Sequence, residues 1–270
     1  MWKVRAAFIL PLFTMLVACG TTPDADAPRR LRVLTYNIHH AQGTDGEFDY
    51  KRLADIIRSV EPDVVALQEV DVATGRSSGV DQPAVLGEHT GMYPYFVSAK
   101  PYDGGLYGEA ILTRVPIEGV PAGLDTAGIE PDLAMLAIAV VGLHPWGDEG
   151  PTVTFAGAHL SPYAAEARLS QVGQINDQLL VDPNRLVLIA GDFNFTPGAP
   201  GHNAMTARWL DTADHFGDPQ PTFPSNPSIK RIDYVFAYPV DRWRVLEVRV
   251  LDEPLASDHA PVLVVLEVVE

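Results

Sequence analysis

Asn37, His39, Glu69, Asp192, Asn194, Asp258 and His259 stand in four short segments of the chain: Thr35-Tyr36-Asn37-Ile38-His39, Leu67-Gln68-Glu69-Val70, Gly191-Asp192-Phe193-Asn194 and Ser257-Asp258-His259. Each adjoins an apolar run that reads as a buried strand, over residues 31–36, 63–67, 186–190 and 261–269. Several core strands ending in Asn, Glu, Asp and His assemble a polar site at one rim of a sheet. Carboxylates and side-chain amides without a thiol suit a hard cation such as Mg²⁺ or Mn²⁺. Imidazoles beside them suit hydrolysis of a phosphate ester.

The segments differ in how much they say. Asn37 and His39 are two apart and share a face of an extended chain, but a turn asparagine beside a surface histidine gives the same pattern. Glu69 follows an apolar strand, where a carboxylate often only faces water. Asp192 and Asn194 share a face while Phe193 points into the core, which is more specific than an ordinary Asp/Asn turn. Asp258 beside His259 pairs a carboxylate with an imidazole, a pairing that fixes a tautomer and raises its pKa.

The elements that must position these groups alternate along the chain. Asp49 is placed to cap a helix over 50–59, with Leu53, Ile56, Ile57 and Val60 on one face, and Pro62 stops it. Asp81 is placed to cap a second helix over 82–89. Strands are expected at 95–99, 109–113, 133–141 and 152–158. A helix over 164–180 carries Leu169, Val172, Ile175 and Leu179 on one face, and strands follow at 232–237 and 243–251. The two halves repeat this layout with too few strands each for helices on both faces. The expectation is therefore an α/β four-layered sandwich, two mostly antiparallel sheets face to face with helices outside.

The N-terminus reads separately. Met1 to Arg5 is basic, 6–17 is apolar but short for a spanning helix, and Leu16-Val17-Ala18-Cys19-Gly20 resembles a bacterial lipobox. Cys19, the only cysteine, is thus the expected lipidation site. The expected organisation is a lipoprotein signal peptide over 1–19, a flexible tether over 20–30 and one domain over 31–270. The expected location is the cell envelope, anchored to a membrane outside the cytoplasm. The formal charge of −16 becomes −18 when Lys3 and Arg5 leave with the leader. No basic run offers the stripe that long DNA requires, so nucleic acid is the less favoured partner. A monomer is expected.

Taken in order, the segments resemble the endonuclease/exonuclease/phosphatase superfamily over nearly all of 31–269. They are most similar to its bacterial metal-dependent hydrolases, with Asn-Ile-His at the start, an acid after Leu-Gln, then Arg76-Ser77 and Arg231-Ile232-Asp233-Tyr234. The resemblance implies that Asn37 and Glu69 hold the metal with help from Asp258. It implies that His159, in Ala158-His159-Leu160, and His259 contact the scissile phosphate. Asp192 would orient or deprotonate water, Asn194 would donate to phosphoryl oxygens, and Asp233 would pair with His259. Where many relatives have Asn, this chain has Glu109, as secreted deoxyribonucleases do. Either Glu109 pairs with His159, or it only replaces a phosphate-contacting Asn. Arg76, Arg231 and His39 are candidate substrate contacts, with surface salt bridges the alternative for the two arginines. His40, His89, His144, His202 and His215 are expected on the surface or in loops. The expected activity is Mg²⁺- or Mn²⁺-dependent hydrolysis of a lipid-headgroup or small phosphate ester. An extracellular endonuclease is the alternative, and a silent binding protein on the same fold the third reading.

Overall fold

The computed structural model describes residues 28–123, 137–147 and 150–270. The leader, Cys19 and most of the expected tether lie outside the described residues, as do 133–136 of one expected strand.

The first sheet is built from β1 (Arg30–Asn37), β2 (Val64–Val72), β3 (Tyr93–Tyr102), β4 (Gly105–Thr113), β11 (Trp243–Val250) and β12 (Val262–Val268), in the order β11-β12-β1-β2-β4-β3. The second has β5 (Glu118–Gly123), β6 (Ala137–Leu143), β7 (Val153–His159), β8 (Leu186–Asp192), β9 (Leu210–Asp211) and β10 (Asp233–Tyr238), in the order β5-β6-β7-β8-β10-β9. Each sheet has one parallel pair, β1 with β2 and β7 with β8, flanked by antiparallel neighbours. The similar layout of the two halves is thus a shared local topology. The parallel pairs need crossovers, and α1 (Tyr50–Ser59) and α3 (Ala165–Leu179) supply them. The shorter helices α2 (Gln82–Thr90), α4 (Pro200–Thr206) and α5 (Thr212–Phe216) complete the set.

Three apolar clusters mark the interfaces of four layers. Val33, Val64, Ile111, Phe155, Leu188, Val235 and Val264 fill the space between the sheets. The alternate residues Leu34, Val65, Leu112 and Leu263 pack on Leu53 and Ile57 of α1. On the second sheet Ala156, Val187, Ile189 and Phe236 pack on Val172 and Ile175 of α3. The period of two sends successive side chains into different layers, which is why these strands are apolar on both faces.

Helix starts follow local chemistry. Asp49 and Asp81 accept from the N–H groups of Arg52 and Ala84 at 2.9 and 3.0 Å, as their positions before apolar periods predict. β2 departs from expectation: it runs past Leu67 to Val72 through a bulge, where Leu67 faces Ala110 and Val70 faces Gly108. Glu69 adopts φ +60° there. The extra residue re-aims the carboxylate without ending the strand.

Candidate active site

The parallel pairs place their C-terminal ends on one rim, where crevices form in α/β sheets. Asn37 and Glu69 arrive from the first sheet, His159 and Asp192 from the second. β10 runs antiparallel to β8, so its first residue, Asp233, lies opposite Asp192. β12 runs antiparallel to β1, so His259, just before it, reaches Asn37. Gly191 permits the close approach of β7 and β8: a Cβ there would lie 1.8 Å from the Ala158 carbonyl oxygen.

One oxygen gathers the buried groups. Asp192 Oδ2 lies 3.2 Å from Asn37 Nδ2, 3.5 Å from His159 Nε2 and 3.7 Å from His259 Nε2. Behind each imidazole stands a second carboxylate. His259 Nδ1 is 3.0 Å from Asp233 Oδ2, which also accepts from Thr222 Oγ1 at 2.6 Å. His159 Nδ1 is 3.6 Å from Glu109 Oε1, an ion-pair distance rather than a hydrogen bond. Both Glu109 oxygens and His159 Nδ1 lack a hydrogen-bond partner among the described residues. Two carboxylate–imidazole dyads therefore converge on Asp192.

The electrostatics follow from burial and charge. Burial pushes the His259 imidazole down, but Asp233 and Asp192 more than offset it and hold its pKa near 10. Burial opposes His159 in the same way, and Glu109 and Asp192 raise it to about 9. Burial pushes the Glu109 carboxyl up to about 8 against the pull of His159. Burial also raises Asp192, with His259 opposing. Glu69 goes the other way: burial raises it, yet His159, the Asn37 amide, His259 and His39 together hold it below the usual range, so it stays ionised.

The donor set fits a hard divalent cation. Glu69, Glu109, Asp192 and Asp233 bring four carboxyl groups to a site with two imidazoles, and neither Glu109 oxygen has a hydrogen-bond partner among the described residues. Ligand atoms of Asp192, Asp233 and His259 lie within 4.8 Å of one another. Glu69 and Asn37 form the neighbouring pair, Nδ2 to Oε1 at 3.2 Å. Asn37 Oδ1 accepts from His39 N at 3.1 Å, which sets the direction of the amide.

Other expected residues sit differently. Asp258 is half-buried, its side chain accepting from Ser257 Oγ at 3.5 Å, and it does not belong to the buried cluster. Asn194 spends one amide hydrogen on Leu160 O at 3.1 Å, tying the ends of β8 and β7 together. His39 Nδ1 lies 3.0 Å from Gln42 O and its ring stands edge-on to His40. For Arg231 the surface-bridge alternative is corrected: its ion pair with Asp211 is buried. It is buried over Tyr234, with Nη groups on Asp211 and Asp214 at 2.8–3.0 Å. His202 is a second correction, buried with Nε2 3.0 Å from Asp211 Oδ2 rather than on the surface. His40 lies in a short 3-10 turn, His39–Ala41, and is buried rather than on the surface, its ring 6.0 Å from that of Phe48. Arg76 is paired with buried Asp71. Thr222 and the Phe223 ring, 4.7 Å from His259, complete the second dyad. Thr222 carries no signal in the sequence.

The chain matches the Endonuclease/Exonuclease/phosphatase family over residues 34–259 and belongs to that family. Its members hydrolyse phosphoesters, which assigns this chain to the hydrolases. Among solved structures it is similar to an endonuclease/exonuclease/phosphatase from Beutenbergia cavernae, with 29% identity, TM-score 0.69, 89% of this chain and 72% of that one. A mannosyl-6-phosphatase from Bacteroides thetaiotaomicron shares the fold at 21% identity and TM-score 0.68, over 89% of this chain and 100% of that one. A humanized D. rerio TDP2 shares it at 16% identity and TM-score 0.66, over 88% and 98%. A comparison with curated proteins finds no match.

Proposed function

We propose that the protein is a divalent-cation-dependent phosphoesterase that hydrolyses a lipid-headgroup or small phosphate ester by in-line attack of water. The observation that carries this is the convergence of the Glu109–His159 and Asp233–His259 dyads on Asp192, beside the ionised Glu69. Glu69 would hold Mg²⁺ or Mn²⁺, its carboxylate fixed by Asn37 Nδ2, and Asn37 would add its carbonyl oxygen only after its amide turns; the ion when bound would draw charge from phosphoryl or leaving oxygens. Asp192, made more basic by burial, takes a proton from the attacking water. His159 and His259 are positioned to donate Nε2–H to phosphoryl oxygens, and their raised pKa values keep them protonated at neutral pH. Asp233 and Glu109 orient the two rings. Asn194 braces the strand end that carries Asp192.

Membrane tethering through Cys19, at the lipobox-like segment, favours an envelope enzyme acting where headgroups are concentrated. The phosphatase named among the fold neighbours supports an ester of a small molecule. The Glu109–His159 pairing favours a second reading, a deoxyribonuclease-like enzyme, and the charge of −16 weighs against it.

The test is a substrate panel with and without EDTA: bis-p-nitrophenyl phosphate, p-nitrophenyl phosphate, sphingomyelin, glycerophosphodiesters and plasmid DNA. Metal-dependent hydrolysis of a small or lipid ester supports the proposal. Turnover undiminished in excess EDTA, or no ester hydrolysed, overturns it.

A further inference from the structure

Beside the catalytic rim one arginine is held firmly but not used up. Arg76, on the loop after β2, donates Nε and Nη2 to Asp71 Oδ2 and Oδ1 at 2.7 and 2.9 Å, and Asp71 is fully buried. Thr74 Oγ1 donates to the same Asp71 oxygen at 2.7 Å. The Arg76 backbone N–H donates to Asp103 Oδ2 at 2.6 Å, so the loop is fastened to the β3–β4 turn. The guanidinium carbon lies 4.5 Å from the Tyr102 ring centre and 5.6 Å from that of Tyr107. The side chain is still 26% exposed, and Nη1 meets no acceptor among the described residues. Arg231 is the contrast, with both Nη groups taken by aspartates.

A guanidinium fixed by a buried carboxylate and stacked on tyrosine, with part of its fork open, is preorganised for an oxyanion. Asp71 and Asp103 cancel part of its field, so what it offers is direction more than charge. Its place relative to the catalytic centre follows from strand register. Tyr107 pairs with Asp71 on one side and Lys100 on the other, so all three share a face. Tyr107 precedes Glu109 by two residues on that face, a step of roughly 7 Å. Lys100 Nζ lies 5.8 and 5.5 Å from the Tyr102 and Tyr107 ring centres.

We propose that Arg76, with the Tyr102–Tyr107 pair, forms a second oxyanion subsite. Preferred substrates then carry a phosphate or carboxylate a glycerol- or sugar-length from the scissile phosphoryl group. This rests on the phosphoesterase reading above and narrows its substrate class.

Matched pairs test it: fructose 1,6-bisphosphate against fructose 6-phosphate, and glycerophosphoserine against glycerophosphocholine. kcat/KM is measured for the wild type, Arg76→Lys and the double variant Asp71→Asn/Arg76→Met, which leaves no buried charge unpaired. The wild type favours the member with the extra anion, through KM. The double variant cuts that ratio about tenfold, equivalent to about 1.4 kcal/mol, and Arg76→Lys falls between. Calorimetric affinities for the two fructose phosphates give the same ratio without turnover. A wild-type ratio near one in both pairs, or a ratio unchanged in the folded double variant, overturns the subsite. If the wild type hydrolyses no ester, the phosphoesterase reading fails, and the calorimetric ratio still decides the subsite.

Discussion

Asp192 Oδ2 is shared by an amide and two imidazoles, and each imidazole is backed by its own carboxylate. Removing either ring therefore removes a positioned donor and leaves a buried acid without its counter-charge. His159→Ala and His259→Ala should each lower kcat on the order of a hundredfold, with circular dichroism unchanged; wild-type rates in either soluble variant would remove that residue from the mechanism. The same shifts make a statement about stability. His259 and His159 sit near 10 and 9 when folded, against 6.5 when free, so their stabilisation is full below about pH 6.5 and is lost as pH rises through those values. Glu109, raised to about 8 from 4.5, adds a cost that grows over pH 4.5–8, in the same direction. In EDTA the Tm should thus fall between pH 6.5 and 10, and Asp233→Asn should flatten the slope. A Tm that rises over this window would contradict the charge assignments. Asn37, Glu69, Asp192 and His259 stood out in the sequence because each interrupts an apolar run. His202 reads as solvent-facing because it stands outside every motif and its partner Asp211 lies in a stretch with no apolar period; Arg231 stands in a motif, but its acid partners Asp211 and Asp214 carry no sequence signal.

The elements place these groups through two local devices. The bulge in β2 turns Glu69 toward the rim, and Gly191 lets β8 approach β7. Gly191→Ala would drive a methyl group into the Ala158 carbonyl and force apart the strands carrying His159 and Asp192. The expected cost is about 3 kcal/mol or more in chemical denaturation, with activity lost in whatever folds. A variant as stable as the wild type would show that the strands can separate at little cost. The long elements were legible: α1 and α3 from their period, Asp49 and Asp81 as caps, and the core strands from β-branched runs. The bulge was not, because a single residue at positive φ leaves no periodic trace. Nor was β5, whose Glu-Gly-Val-Pro-Ala-Gly composition reads as a loop, nor α4 and α5, which are too short to show an apolar face.

At the scale of the whole molecule, a site built from both sheets sits on a chain with a formal charge of −16. A polyanion approaching it meets repulsion over a Debye length of about 8 Å at physiological salt. Plasmid DNA should therefore be cleaved more slowly than small or lipid phosphodiesters at equal phosphodiester concentration. Faster cleavage of plasmid than of every other ester would promote the nuclease reading. The most direct test of the central claim is a Mg²⁺ titration of bis-p-nitrophenyl phosphate hydrolysis, from EDTA-treated protein upward, in the wild type and Glu69→Gln. Glu69 supplies an ionised carboxylate beside Asn37, so the account predicts saturable activation of the wild type. It also predicts that the folded variant stays at least about a hundredfold slower, with its activation shifted to higher Mg²⁺. Equal activation curves for the two proteins, or full wild-type activity before any metal is added, would contradict it.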